Sequence, residues 1–102
     1  LFKNGDDGLR IVNSLSLDNV GVCLDIGHTL LSNSLVDISY KLKDRIIHMH
    51  IHDNDGVKDL HSPLGSGKIP QNILRDLLRG FSRWLTAENY SVEDARETLK
   101  IY

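Results

Sequence analysis

A single cysteine, two prolines and one tryptophan stand among 102 residues, and each scarcity closes off a class of protein. With Cys23 alone, neither an internal disulfide nor a four-cysteine zinc ribbon can form, which fits a reducing compartment. No apolar run approaches the roughly 20 residues that cross a bilayer, and no signal-peptide pattern opens the sequence; a cytoplasmic protein is expected. Charge of one sign is also missing. Twelve lysines and arginines against 14 acids leave a net charge of −2, with no basic stripe of the kind that counterion release on nucleic acid requires. What remains is 40% hydrophobic and 25% charged, the composition of a globular chain with room for one domain and not two. The opening run LFKNGDDGLRIVNSL, which lacks a starting methionine, looks like a segment already under way, so a piece of a longer protein is expected.

Apolar strand-like runs alternate with amphipathic helical ones. Leu9, Val12 and Leu15 share helical spacing over 6–16. VGVCLD at 20–25 is a short, β-branched apolar run of the kind found in buried parallel strands. SLVDISYKLKD at 34–44 predicts a short helix, and RIIHMHIHD at 45–53 a second strand. Over 69–81, Ile73, Leu74, Leu77, Leu78 and Phe81 line one side of a helix whose first turn suits Pro70. A third strand is expected at 83–89, and Ser91 offers an N-cap to a closing helix over 92–102 with acids in its first turn. The order αβαβαβα argues for parallel strands joined by right-handed helical crossovers.

In such architectures ligands sit at the carboxyl ends of the strands, and each predicted strand ends in a residue able to bind metal: Asp25, His50 or His52, and Glu88. Four of the five histidines crowd into HMHIHDNDGVKDLHSPLGSG at 48–67, together with Asp53, Asp55 and Asp59. Alternation along a strand turns His48, His50 and His52 one way and Ile47, Met49 and Ile51 the other, toward covering helices. His48 and His52 would lie roughly 13 Å apart along that strand, too far to share an ion. DNDG at 53–56 reads as a turn; Val57 falls where a calcium loop needs an oxygen ligand, which rejects an EF-hand. Convergence of Asp25, His28, His50, Asp59, His61 and Glu88 instead suits a divalent ion such as zinc or manganese.

DIGH at 25–28, HMHIHDND at 48–55, DLHSPLGSG at 59–67 and LTAENYSVEDA at 85–95 together resemble the closing part of the xylose isomerase-like TIM-barrel superfamily, from about residue 5 to residue 102. That superfamily includes sugar-phosphate isomerases and epimerases and the endonuclease IV group of apurinic-site nucleases. The resemblance implies an α/β fold, a partial TIM (β/α)8 barrel of about three parallel strands, with residues 1–102 as its carboxyl-terminal portion. It implies that Asp25, His50 and Glu88 bind a metal and that Glu88 also serves as an acid/base. His28 is then either a substrate-contacting histidine or a further ligand, Asp59 and His61 match the nucleases' additional ligands, and His52 stands nearer the substrate or solvent.

Three readings follow. The first is a divalent-metal-dependent sugar or sugar-phosphate isomerase or epimerase whose small substrate is the partner. The second is an endonuclease IV-like phosphodiesterase, the only one of the three to need nucleic acid. The third is a truncated barrel fragment without turnover. A whole barrel has about 250 residues and eight strands, so this chain is expected to hold half a site and, with two unpaired strand edges, to self-associate when isolated.

Overall fold

The computed structural model describes residues 3–101. Its elements are α1 (Gly5–Leu15), β1 (Val22–Asp25), α2 (Ile26–Leu31), α3 (Leu35–Lys41), β2 (Ile46–Ile51), α4 (Gln71–Leu78), β3 (Trp84–Ala87) and α5 (Val92–Ile101), with one 3-10 turn over Lys43–Arg45. The three strands form a parallel sheet in the order β1-β2-β3. This leaves β1 and β3 as the sheet's edges.

Local chemistry sets most of the boundaries. Asn4 caps α1 by accepting from the Asp7 amide at 2.9 Å, and Asp6 and Asp7 sit in the first turn, where the helix dipole favours acids. Ser91 caps α5 by accepting from the Asp94 amide at 3.1 Å; the last residue of the predicted helix, Tyr102, lies outside the described residues. Pro70 is the residue before α4 rather than part of its first turn. The helix stops at Leu78, because the chain turns out at Arg79 and then passes through Gly80 at φ 70°.

One helix was not anticipated. α2 follows β1 without a loop, so the element order is αβααβαβα. Six residues are too few to display a helical period, but its start is marked by Asp25, whose Oδ1 accepts from the His28 amide at 2.9 Å. The predicted helix over 34–44 divides into α3 and the 3-10 turn, and the second strand is correspondingly shorter than 45–53, beginning at Ile46 and ending at Ile51.

The helices cover one face of the sheet. Val22, Leu24, Ile46, Met49 and Ile51 pack there with Ile38 and Leu42 and with Ile73, Leu74 and Leu77 of α4; each such side chain contributes about 1.5–3 kcal/mol when fully buried. Strict alternation places Ile47 on this face, but it is exposed. The register slips between Val22 and Cys23, which pair with Ile46 and His48, so Ile47 is the extra residue of a bulge and Ile46 takes the buried position. The opposite face carries Cys23, His48 and His50, which are exposed or half-buried. No helix among the described residues is long and apolar enough to cross a membrane.

Candidate metal centre

Asp25 is the last residue of β1, His50 the penultimate residue of β2, and Glu88 the residue after β3. Asp25 pairs with His50 in the sheet register, and the Glu88 amide donates to the Ile51 carbonyl at 3.2 Å. Three parallel strands therefore bring three predicted residues to one end. Nδ1 of His50 lies 3.7 Å from Asp25 Oδ2 and 3.5 Å from Glu88 Oε2, longer than hydrogen bonds. Glu88 Oε2 is buried, and no hydrogen-bond partner for it exists among the described residues.

His52 corrects the expectation that it stands toward substrate or solvent. The residue is fully buried and lies beyond the end of β2. Its Nε2 donates to Asp25 Oδ1 at 2.9 Å and stands 3.7 Å from Glu88 Oε2. Its ring stacks on that of His61, with centroids 3.9 Å apart and planes within 2°.

Asp59 and His61 lie in the loop between β2 and α4 and face the Asp25–His28 rim. Nε2 of His28 meets Asp59 Oδ2 at 2.9 Å while its Nδ1 meets Asp25 Oδ2 at 3.0 Å. Nε2 of His61 is 3.2 Å from the same Asp59 oxygen, and its Nδ1 donates to the Glu88 carbonyl at 2.5 Å. His28, His52, Asp59 and His61 thus form a second cluster whose ligand atoms lie within 4.8 Å of one another, beside the group of Asp25, His52 and Glu88. Cys23, His48 and His50 also approach within that distance, but His48 already pairs with the Thr86 hydroxyl at 2.8 Å.

The loop is held by residues that read in the sequence only as a turn. The fully buried Asp53 accepts through Oδ1 from the amides of Asn54 and Ile69, at 2.9 and 3.2 Å, and through Oδ2 from Gly65 at 3.0 Å. Asn54 donates to the Gly27 carbonyl at 2.9 Å, and Asn89 donates to the carbonyls of His61 and Ser62 at 2.8 and 2.9 Å. A Cβ at Gly67 would lie 2.7 Å from Asp53 Cγ and nearer still to the Asn54 carbonyl oxygen, so only glycine fits there. An Asp-Asn pair ending an apolar strand, with glycines 12 and 14 residues after Asp53, was the available signal.

Charge follows from this packing. Burial pushes the Asp25 carboxyl up, but the His52 hydrogen bond, the His28 amide and the two imidazoles together outweigh it and hold it at about 2. Burial pushes His28 down, yet the Asp59 hydrogen bond and the charges of Asp25, Asp59 and Glu88 raise it overall. Asp59 is lowered: burial opposes this, and the contacts with His28 and His61 prevail. Burial, then Asp25 and Glu88, push the Cys23 thiol up, which disfavours the thiolate and argues against a nucleophilic role. Among the described residues no lysine or arginine forms an ion pair with Asp25, Asp59 or Glu88; their partners are imidazoles.

A pH dependence follows for the metal-free protein. A carboxylate lowered to about 2 contributes stability that is complete above its unfolded pKa of about 4 and disappears as pH falls through about 2, in all about 2 kcal/mol. Urea unfolding at about pH 6 and about pH 2 checks this: wild type should exceed Asp25→Asn at the first and lose that margin at the second. A margin that grows on acidification contradicts the assignment.

Parallel strands crossed over by helices, with carboxylates and imidazoles gathered at the strands' carboxyl ends, define part of a (β/α)8 barrel. The family model for the xylose isomerase-like TIM barrel matches residues 1–101, and the chain belongs to that family. It is 33% identical over 96 residues to an uncharacterized protein of Methanocaldococcus jannaschii, covering 92% of this chain and 36% of that one. It is 42% identical over 50 residues to the fructoselysine 3-epimerase of Escherichia coli, covering 47% of this chain and 18% of that one. The solved structure of a D-tagatose 3-epimerase-like protein superposes with a TM-score of 0.81 at 31% identity, over 99% of this chain and 40% of the other. The chain thus spans just over a third of the length of the first relatives it matches.

Proposed function

We propose that residues 1–102 are the carboxyl-terminal portion of a divalent-metal-dependent isomerase or epimerase acting on a sugar or sugar phosphate. One observation carries the reading: Asp25, His50 and Glu88 converge at the carboxyl ends of adjacent parallel strands, and a buried Glu88 oxygen is left without a hydrogen-bond partner. A cation is what such a group lacks, since an unpaired buried carboxylate oxygen is costly. The donors fit zinc or manganese: two carboxylates and an imidazole. Asp25, His50 and Glu88 would hold the ion, and when bound it supplies the Lewis acidity that polarises a carbonyl oxygen and its neighbouring hydroxyl.

The chain's own residues would do the rest. Glu88 would take a proton from, or return one to, the carbon that bears that hydroxyl, next to the carbonyl. His28, fixed between Asp25 and Asp59 and raised in pKa by them, keeps a proton available to donate to developing negative charge on oxygen. The likeness to fructoselysine 3-epimerase and to the D-tagatose 3-epimerase-like structure supports this chemistry. The test is solvent exchange: the metal-loaded full-length protein is incubated with a panel of ketoses and sugar phosphates in deuterated water, and separately with an abasic duplex. Deuterium entering a sugar carbon is the expected result. Strand cleavage without exchange overturns the reading.

A second reading, an endonuclease IV-like phosphodiesterase, is favoured by the cluster of His28, Asp59 and His61 beside the first. The two readings differ in metal count. For the epimerase, Asp59→Ala with His61→Ala should leave the bound metal unchanged on elemental analysis and mainly raise KM. For the nuclease, the same double variant should lose metal and slow by orders of magnitude.

A further inference from the structure

We infer that His52 is a positioning residue for the proposed centre: from a buried site it holds Asp25 with Oδ1 occupied by two donors and Oδ2 turned toward the ion. The inference rests on the metal reading above. Oδ1 of Asp25 accepts two N–H donors, Nε2 of His52 and the His28 amide, both at 2.9 Å. Oδ2 is the oxygen turned toward His50, 3.7 Å away, and toward the exposed His28 ring, 3.0 Å away. A carboxylate that could rotate would present either oxygen; two donors on one of them remove the choice. Hydrogen bonds behind a metal ligand commonly act in this way.

His52 itself is over-determined. It is fully buried, His61 stacks flat against one face, and a Cβ on Gly27 would fall 2.5 Å from its Nδ1 and closer to Cε1, so residue 27 must be glycine for the ring to lie where it does. The same packing argues that His52 is not a direct ligand. A nitrogen donating a proton to Asp25 cannot also donate its lone pair to a cation, and Nδ1 is turned toward Gly27 with no hydrogen-bond partner among the described residues.

Manganese titration of the full-length protein by calorimetry tests this, with His52→Leu, His52→Gln and Gly27→Ala beside wild type and with circular dichroism to verify folding. His52→Leu should weaken binding about 10- to 100-fold. His52→Gln, whose amide N–H can reach the same oxygen, should recover most of the loss. Gly27→Ala keeps the imidazole but displaces it, and should weaken binding as His52→Leu does. The visible bands of the cobalt-loaded protein, which report ligand geometry, should shift in the leucine and alanine variants and not in the glutamine one. Should His52→Leu fail to fold, the glutamine and alanine variants decide alone. Wild-type affinity in His52→Leu or Gly27→Ala, or a glutamine variant as weak as a folded leucine one, overturns the role of His52 while leaving the metal centre standing. Wild type that binds neither manganese nor zinc overturns the metal reading and this inference together, and the two failures are told apart by the wild-type titration.

Discussion

Replacing Glu88 by glutamine should slow the entry of solvent deuterium into the substrate carbon by about two to four orders of magnitude, the range associated with loss of a positioned acid/base. The substitution is informative because the backbone of residue 88 has separate duties. Its amide donates to Ile51 and its carbonyl accepts from His61, and both bonds survive a change of side chain. Glutamine keeps the shape and one oxygen but cannot take up a proton at pH 7. Exchange is followed by proton NMR, and elemental analysis of the same sample separates a lost proton acceptor from a lost metal ligand. A variant that retains its metal and exchanges within about threefold of wild type would remove Glu88 from the proton-transfer step.

Asp53→Ala should be the most damaging single change in the loop, lowering unfolding free energy by about 3 kcal/mol or more. The carboxylate accepts three backbone N–H groups, of which those of Asn54 and Ile69 belong to buried residues. Hydrogen bonds to a charged acceptor are worth about 1.5–3 kcal/mol each, and buried donors left unpaired add their desolvation cost. Asp59 and His61 depend on this frame, because residues 53–69 have no helix or strand to hold them. Urea unfolding measures the loss, and amide exchange at Gly65 and Ile69 should quicken by a larger factor than at Leu24 in the sheet. A change within about 0.5 kcal/mol, the range of an ordinary surface substitution, would show that Asp53 is not the clamp.

Comparison of the strands and loops shows where sequence reading succeeds. The apolar run around Leu24 announces a buried strand and the alternation of His48, Met49, His50 and Ile51 a strand with one covered face, while the helical stretches between the strands require parallel pairing. The placement of Asp25, His50 and Glu88 at one end follows once the strands are parallel, since each ends its own run. Around Asp59 and His61, Pro63, Gly65 and Gly67 break regular structure, so the loop that carries the pair is marked in the sequence itself.

Other features were not legible, for identifiable reasons. The six residues of α2 cannot show a period, and the bulge at Ile47 shifts the side-chain phase without leaving a mark in composition. Alternation puts His52 on the strand's open face, yet the strand ends one residue earlier, and its ring is then free to turn into the protein beneath His61.

By itself, the sequence determined which ionisable residues gather at one end of the sheet, because periodicity, strand ends and turn residues are local properties of the chain. Only the tertiary structure decided how they face one another: that His28 spans Asp25 and Asp59, that Asp53 anchors the loop, and that His52 rather than His50 makes the hydrogen bond to Asp25. Apart from that of His28 with Asp25, three positions away, those contacts join residues 12 to 31 positions apart. They depend on register, on the bulge at Ile47 and on the absence of a side chain at Gly27, none of which a local pattern encodes.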